Sequence, residues 1–341
     1  MLASLIRSNR RGFTLVELLV VITILGLLSV IVIPNLTGTI SSRRYRDAAQ
    51  NINAFIARCH SRAIGARGPR GVMLQPLSTN TAAALDMYFA DAPDIYAGET
   101  SASTAFIAGG QNMTTGPLVV TFDQATQSRL SQAGFCSTGD AIQFGGVGST
   151  FKFISPNQIA MWVDENQNIR NTSWPRTGSG GLPFKIWRQP TRGTGGSLQL
   201  QKGACVDLPW SCLGTTPFST FMGTNISDNS ISIMFDASGK PIEIVHSGGM
   251  RTSIGAPVFL LIGDAELAGN AYDPAVSRDT NAAPPQDDRG GANWQYGDSV
   301  WLCIDNNSGV VKYGPVAPGT TSILASQRFV RLTIGYGSAE K

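Results

Sequence analysis

The sequence predicts an α+β fold in which one long N-terminal helix packs on an antiparallel, β-rich head. Three observations carry that reading. Residues 18–42 contain no charged side chain; apolar residues recur three or four apart from Tyr45 to Ala63; and beyond Arg70 the pattern breaks into short β-type runs separated by Gly, Asn, Asp and Pro. Of the 341 residues 42% are apolar and 14% charged, against roughly 25% charged in an ordinary soluble domain. So apolar a chain is not disordered, and its 38 Gly and 18 Pro imply many turns. The formal charge of +3 comes entirely from Arg7, Arg10 and Arg11, so the whole-chain balance gives no argument for a nucleic-acid partner. Only His60 and His246 could support histidine chemistry, and Cys59, Cys136, Cys205, Cys212 and Cys303 form no C-x-x-C pair.

The N-terminal element is justified first. Leu18 to Ile33 is almost entirely Leu, Val and Ile, and about 20 such residues at 1.5 Å each span the roughly 30 Å hydrocarbon core of a bilayer. Residues 13–36 are therefore expected to form a transmembrane helix. Its basic preface stays cytoplasmic, and the chain after about residue 40 lies outside the inner membrane. Glu17 is the odd residue, because a carboxylate within an apolar helix costs about 2.5 to 3.5 kcal/mol. Either it sits at headgroup level and is solvated, or it meets a cation at that depth, such as an α-amino group newly made by cleavage after Gly12. Pro34 lacks an N–H and crowds the carbonyl of Val30, and Gly26 weakens the preceding turns, so a kink is expected there.

Gly12-Phe13-Thr14-Leu15-Val16-Glu17 followed by an apolar helix resembles the prepilin signature of type IV pilins and type II secretion pseudopilins. The resemblance implies that residues 1–12 are a leader, removed after Gly12 by a prepilin peptidase that also methylates the new N-terminus at Phe13. It also implies that Glu17 pairs with the N-terminus of a neighbouring subunit, and that the helix loosens between Gly26 and Pro34 within a filament. Two charges that are separately expensive in lipid become tolerable together, so the cost of burying them selects correct stacking.

The second element is an amphipathic stem over residues 37–67. Tyr45, Ala48, Ala49, Ile52, Phe55, Ile56, Cys59 and Ala63 form one apolar stripe, and Gly65, Gly68 and Pro69 end it. Continuous from Phe13, such a helix would be about 80 Å long. Residues 43–70 hold seven arginines against Asp47, whereas 71–341 is acidic; the arginines are expected to form a solvated face and to pair with the head. Lipid headgroups or neighbouring subunits could use Arg43, Arg44 and Arg46. Nucleic acid is not expected; were DNA bound, these three would be its contacts, and only Tyr45 is interleaved for base stacking.

The third element is the head, residues 68–341. Its expected strands are 72–75, 118–122, 151–154, 159–163, 230–235, 241–245, 257–262, 300–304 and 310–313, with surface loops over 176–197 and 264–297. The run Ala48 to Leu74 is similar to the helix-to-strand passage of H-type minor pseudopilins and related minor pilins. Ile233 to Pro241 and Val300 to Tyr313 are similar to their later hairpins. The chain is longer than typical members, with the excess in 76–229 and 264–297.

Competing motifs are few. Ser149-Thr150-Phe151-Lys152 fits S-x-x-K and Ser227-Asp228-Asn229 fits S-D-N, as in serine β-lactamases. That chemistry needs Ser149 at a helix start so that Lys152 on the next turn can activate it, yet Phe151, Phe153 and Ser155 alternate like a strand. Asp164, Asn166 and Asn168 begin like a calcium loop, but Ile169 and Pro175 stand where Gly and a bidentate Glu belong. No metal or other cofactor is assigned. A disulfide is expected between Cys205 and Cys212, with Cys136 and Cys303 next in line, and Cys59 is expected to be a buried thiol. His60 and His246 are expected at the surface or in hydrogen bonds, and Trp162, Trp294 and Trp301 in packing. The resemblance thus implies a structural, non-enzymatic subunit: a minor pseudopilin of a type II secretion system, anchored once in the bacterial inner membrane with a periplasmic head, that assembles into a fibre with other pilin-like subunits. The alternatives are a minor pilin of a type IV pilus, adhesive or DNA-contacting, and an anchored Ser-Lys hydrolase.

Overall fold

The computed structural model describes residues 15–108, 118–132, 135–145, 150–155, 158–159, 181–222, 230–246, 251–273, 290–317, 320 and 322–335. The chain divides into two units, Met1–Arg44 and Tyr45–Lys341. Helix α1 (Leu15–Ala63) begins in the first and ends in the second.

In the first unit Glu17 lies in the first described turn of α1. The side chains of Leu15 to Leu28 are solvent-facing all round. Thr23 Oγ1 donates to the carbonyl of Leu19 at 2.7 Å, a local bond that satisfies its hydroxyl without a partner helix.

In the second unit the chain continues from α1 through β1 (Arg70–Pro76), β2 (Ala83–Asp91), β3 (Ala105–Ala108), β4 (Leu118–Phe122), α2 (Gln124–Leu130), β5 (Ala141–Phe144) and β6 (Thr150–Ser155). Next come β7 (Gln158–Ile159), β8 (Phe184–Trp187), β9 (Thr191–Arg192), β10 (Leu198–Gln199), β11 (Ala204–Leu213), β12 (Thr216–Pro217) and α3 (Ser219–Met222). The last elements are β13 (Ile231–Phe235), β14 (Pro241–His246), β15 (Arg251–Ser253), β16 (Val258–Asp264), β17 (Val300–Ile304), β18 (Val311–Pro315) and α4 (Ile323–Thr333). Among the described residues the strands form two sheets. The larger runs β15-β14-β13-β1-β2-β11-β16-β17-β18, and the smaller runs β3-β4-β7-β6-β5-β8.

The larger sheet is buried on both faces. Residues alternate across a strand, so Val72 and Leu74 of β1, Ile231, Ile233 and Phe235 of β13, and Leu260 and Leu302 of β16 and β17 point to one side. There they meet Tyr45, Ala48, Ala49, Ile52, Phe55, Ile56, Cys59 and Ala63, the stripe read from the sequence, every member of which is buried. On the opposite face Phe259, Leu261, Trp301 and Cys303 pack with Trp294 and with Val330 of α4, and Trp301 Nε1 donates to Ser326 Oγ at 2.9 Å. The smaller sheet has its own aromatic core of Phe122, Phe144, Phe151, Phe153 and Phe184, closed by Leu130 of α2. Asp123 caps α2 by accepting from Thr126 N at 3.0 Å.

Most expected strands are present, and both hairpins expected by resemblance form as antiparallel pairs, β13 with β14 and β17 with β18. Of the strand expected at 159–163, only Ile159 lies within the described residues. The turn of the first hairpin has Gly239 at φ 86° and is held by the Asp236 carboxylate, which accepts from Ser238 N at 2.8 Å and Lys240 N at 3.0 Å.

Several expectations are corrected. Helix α1 ends at Ala63 rather than 67, because Gly65 adopts φ 74° and donates its N–H to Ala237 O instead of continuing the helical ladder. The expected loop 176–197 contains β8, whose Phe184 and Ile186 enter the aromatic core. In the expected surface loop 264–297, Ala292, Asn293, Trp294 and Gln295 are buried, because a single 3-10 turn tucks them under the larger sheet. His246 is buried as well, beside the ring of Phe218.

Candidate functional site

The exposed apolar part of α1 is the first candidate. Leu15, Val16, Leu18, Leu19, Ile22, Leu25 and Leu27 all keep more than half of their surface open, reaching 79% at Leu15. Contiguous apolar surface on that scale marks contact with lipid or with another protein. Glu17 lies within this face and is exposed. Gly26 lies in the helix with open space where a side chain would be, and the helix continues through Pro34. Gly12 and Phe13 lie outside the described residues. Among the described residues no helix is long and apolar enough to cross a membrane; the crossing expected of residues 13–36 includes positions outside them.

The basic cluster is partly consumed inside the head. Arg70 Nη1 lies 2.6 Å from Asp91 Oδ2 and Arg62 Nη2 lies 3.7 Å from the same oxygen, while the Arg62 guanidinium stacks over Phe89 at 4.1 Å. Intramolecular pairing expected from charge therefore occurs at the C-terminal end of the cluster. At its N-terminal end Arg43 and Arg46 are exposed and Arg44 is half-buried.

The hydrolase reading is not supported by the backbone. Lys152 lies on β6 opposite Ala141 of β5, so the segment is a strand and cannot present S-x-x-K on adjacent helical turns. Ser149 and Ser227 to Asn229 lie outside the described residues, as do Asp164, Asn166 and Asn168. No group of three His, Cys, Asp or Glu residues is placed to hold a metal ion among the described residues.

The disulfide expectation is corrected. Cys205 and Cys212 lie on one strand, β11, opposite Gly263 and Phe259 of β16. Partners four residues apart on β16 stand about 13 Å from each other, whereas a disulfide needs Cα atoms within about 7 Å. Both thiols are free and buried, as are those of Cys59, Cys136 and Cys303. Cys303 shares the Phe259 row with Cys212 from the far side, two strand spacings away or about 10 Å.

A feature missed in the sequence lies at the N-terminal end of the stem's buried stripe. Tyr45 OH donates to Asp264 Oδ2 at 3.0 Å. Asp264 N donates to Asn293 Oδ1 at 2.8 Å, and Asn293 Nδ2 donates to Asp207 Oδ2, also at 2.8 Å. Asp207 is fully buried, and burial pushes its carboxyl up to about 7 despite the donors from Asn293 and the backbone of Gly269. The strand is bulged at this point, with Leu208 to Ser211 unpaired to β16. Ser211 Oγ bridges the gap by donating to Asp207 O at 2.6 Å and accepting from Leu261 N at 3.1 Å. The sequence signal was an acid and a proline within an otherwise apolar run, Ala204 to Leu213, which marks a bulge needing its own polar partners.

Residues 7–33 match the prokaryotic N-terminal methylation motif. The chain carries the type IV pilin and pseudopilin signature. That motif spans the segment holding Gly12, Phe13 and Glu17, and it implies prepilin peptidase processing, contact with other pilin subunits and anchoring in the inner membrane. Proteins bearing this signature are generally structural rather than enzymatic. Comparison with curated proteins and with solved structures gives no match.

Proposed function

We propose that this chain is a minor pseudopilin, a structural subunit that is cut after Gly12, methylated on Phe13 and packed through its N-terminal helix into a periplasmic fibre of a type II secretion system. The observation that carries the reading is the exposed apolar face of α1 with Glu17 in its first turn. Such a face is stable where lipid covers it before assembly and other helices cover it afterwards. On this reading residues 13–36 cross the inner membrane once and the head is periplasmic. Glu17 is paired with the methylated N-terminus of an adjacent subunit, since a carboxylate in hydrocarbon is otherwise expensive. Gly26 and Pro34 let the helix loosen as it leaves lipid for the fibre.

Co-expression with a prepilin peptidase tests the first step: N-terminal sequencing should begin at N-methylated Phe13, and a chain retaining Met1 overturns it. Glu17→Ala should leave membrane insertion intact and reduce recovery in sheared fibres; wild-type recovery overturns the pairing. Deleting the gene should stop export of secreted proteins and leave surface pili intact. The reverse result assigns the chain to a type IV pilus instead.

A further inference from the structure

A cavity of about 380 Å³ opens where the edge of the larger sheet meets the edge of the smaller one. Its charged lining is Arg67, Asp94, Arg188, Glu243 and Arg251. Two of these groups are already committed to each other. Arg251 Nη1 lies 2.6 Å from Glu243 Oε1, and its Nη2 donates to Arg188 O at 2.8 Å, so this neutral pair straps β15 to the residue after β8. The remaining three are not matched. Arg188 is held in place, with Nη2 donating to Asp94 O at 3.3 Å and the guanidinium over the Phe135 ring at 4.6 Å. Its Nε is buried without a hydrogen-bond partner, which is costly for a charged donor. The side chains of Arg67 and Asp94 make no hydrogen bond or ion pair among the described residues. Arg67 and Arg188 against Asp94 leave one positive charge. Beside them the wall is apolar, formed by Ile95, Trp187 and Ile242.

We propose that this cavity binds a single carboxylate carried on an apolar body. One negative charge neutralises the lining, whereas a phosphate dianion would leave it negative beside Asp94 and Glu243. Guanidinium groups present a planar fork of donors that matches a carboxylate, and Ile95, Trp187 and Ile242 receive the hydrocarbon that carries it. The carboxylate is either that of a free acid or chain terminus, or that of an acidic side chain within a polypeptide.

Isothermal titration of the full chain in detergent micelles tests this with N-acetyl-leucine, N-acetyl-leucinamide, acetyl-Gly-Glu-Gly-amide and inorganic phosphate. At least one carboxylate probe should bind at least about tenfold more tightly than the uncharged amide and than phosphate, the worth of one charge-assisted pair. Arg67→Gln, at an exposed side chain whose loss leaves the fold intact, should weaken that binding by about tenfold with an unchanged circular dichroism spectrum. A preference for N-acetyl-leucine assigns the site to a free acid or terminus, and a preference for the glutamyl peptide assigns it to an acidic segment. Equal binding of acid and amide, tighter binding of phosphate, an unaffected Arg67→Gln variant, or no heat from either carboxylate overturns the proposal.

Discussion

Tyr45 and Asp264, 219 residues apart, meet at 3.0 Å, joining the first buried residue of the stem to the end of β16. From Asp264 the contact runs through Asn293 to the buried Asp207. The chain of bonds fixes how α1 sits on the sheet, because apolar packing alone would allow the stripe to slide. Tyr45→Phe should lower head stability by about 1 kcal/mol and Asn293→Ala by about 2 to 3 kcal/mol, since the second leaves a buried carboxyl without its side-chain donor. Urea unfolding of the full chain in micelles checks both values. Additive losses in the Tyr45→Phe, Asp264→Asn cycle would remove the coupling.

Asp207 and His246 should give opposing pH dependences. Burial raises the Asp207 carboxyl from 3.8 to about 7, so the folded state holds the proton more tightly, and this group's contribution falls as pH rises through that window. Burial lowers His246 from 6.5 to about 4, so the unfolded state holds the proton more tightly, and this contribution is lost as pH falls below 6.5. Between pH 4 and 6.5 the two slopes offset each other. Asp207→Asn should expose a stability that climbs with pH over that range by a few kcal/mol. His246→Gln should expose one that declines with pH, and thermal melts from pH 4 to 7 distinguish the two.

Gly239 should not tolerate a side chain. Its φ of 86° strains any L-residue, and a Cβ there would run into the imidazole of His60 near the end of the stem. Gly309, at φ 68°, is held in the same way, because its added Cβ would meet the carbonyl oxygen of Gly239 as well as His60. Gly239→Ala should therefore cost about 1 to 3 kcal/mol. Adding His60→Ala should recover the part due to collision and leave the part due to strain.

The sequence was most legible where one period governed a long run. The stem stripe from Tyr45 to Ala63 was recovered residue by residue, because its single face meets a single sheet. Strands bounded by turn residues, such as Val300 to Ile304, were equally plain. β11 was missed because Pro209 and Ser211 sit at a bulge and break the alternation. β2 was missed because Ala83 to Asp91 does not alternate cleanly between the buried and exposed faces. Helix α4 was missed because its 11 residues follow a β-rich run and their burial rests on Ser326, Gln327 and Val330, two of them polar. The Asp207 network joins positions up to 86 residues apart, a juxtaposition that no local pattern encodes. The methylation motif over residues 7–33 was readable for the opposite reason, since it is one short contiguous stretch of sequence.

The five cysteines should behave as inert packing groups although the head is expected in an oxidising compartment. Each is buried. Desolvation pushes the thiols of Cys59, Cys136, Cys212 and Cys303 up to about 12 and that of Cys205 well above its ordinary value. The thiolate is the reactive form, and at pH 8 a thiol of that strength is ionised to about one part in ten thousand. Iodoacetamide should leave the native chain unlabelled over an hour at pH 8 and label five sites after unfolding in guanidinium. Non-reducing peptide mapping should recover Cys205 and Cys212 as separate free thiols, because β11 holds them about 13 Å apart along one strand direction. A Cys205–Cys212 bridge in the mature protein would require β11 to leave β16, and its detection would overturn the strand order at the centre of the larger sheet.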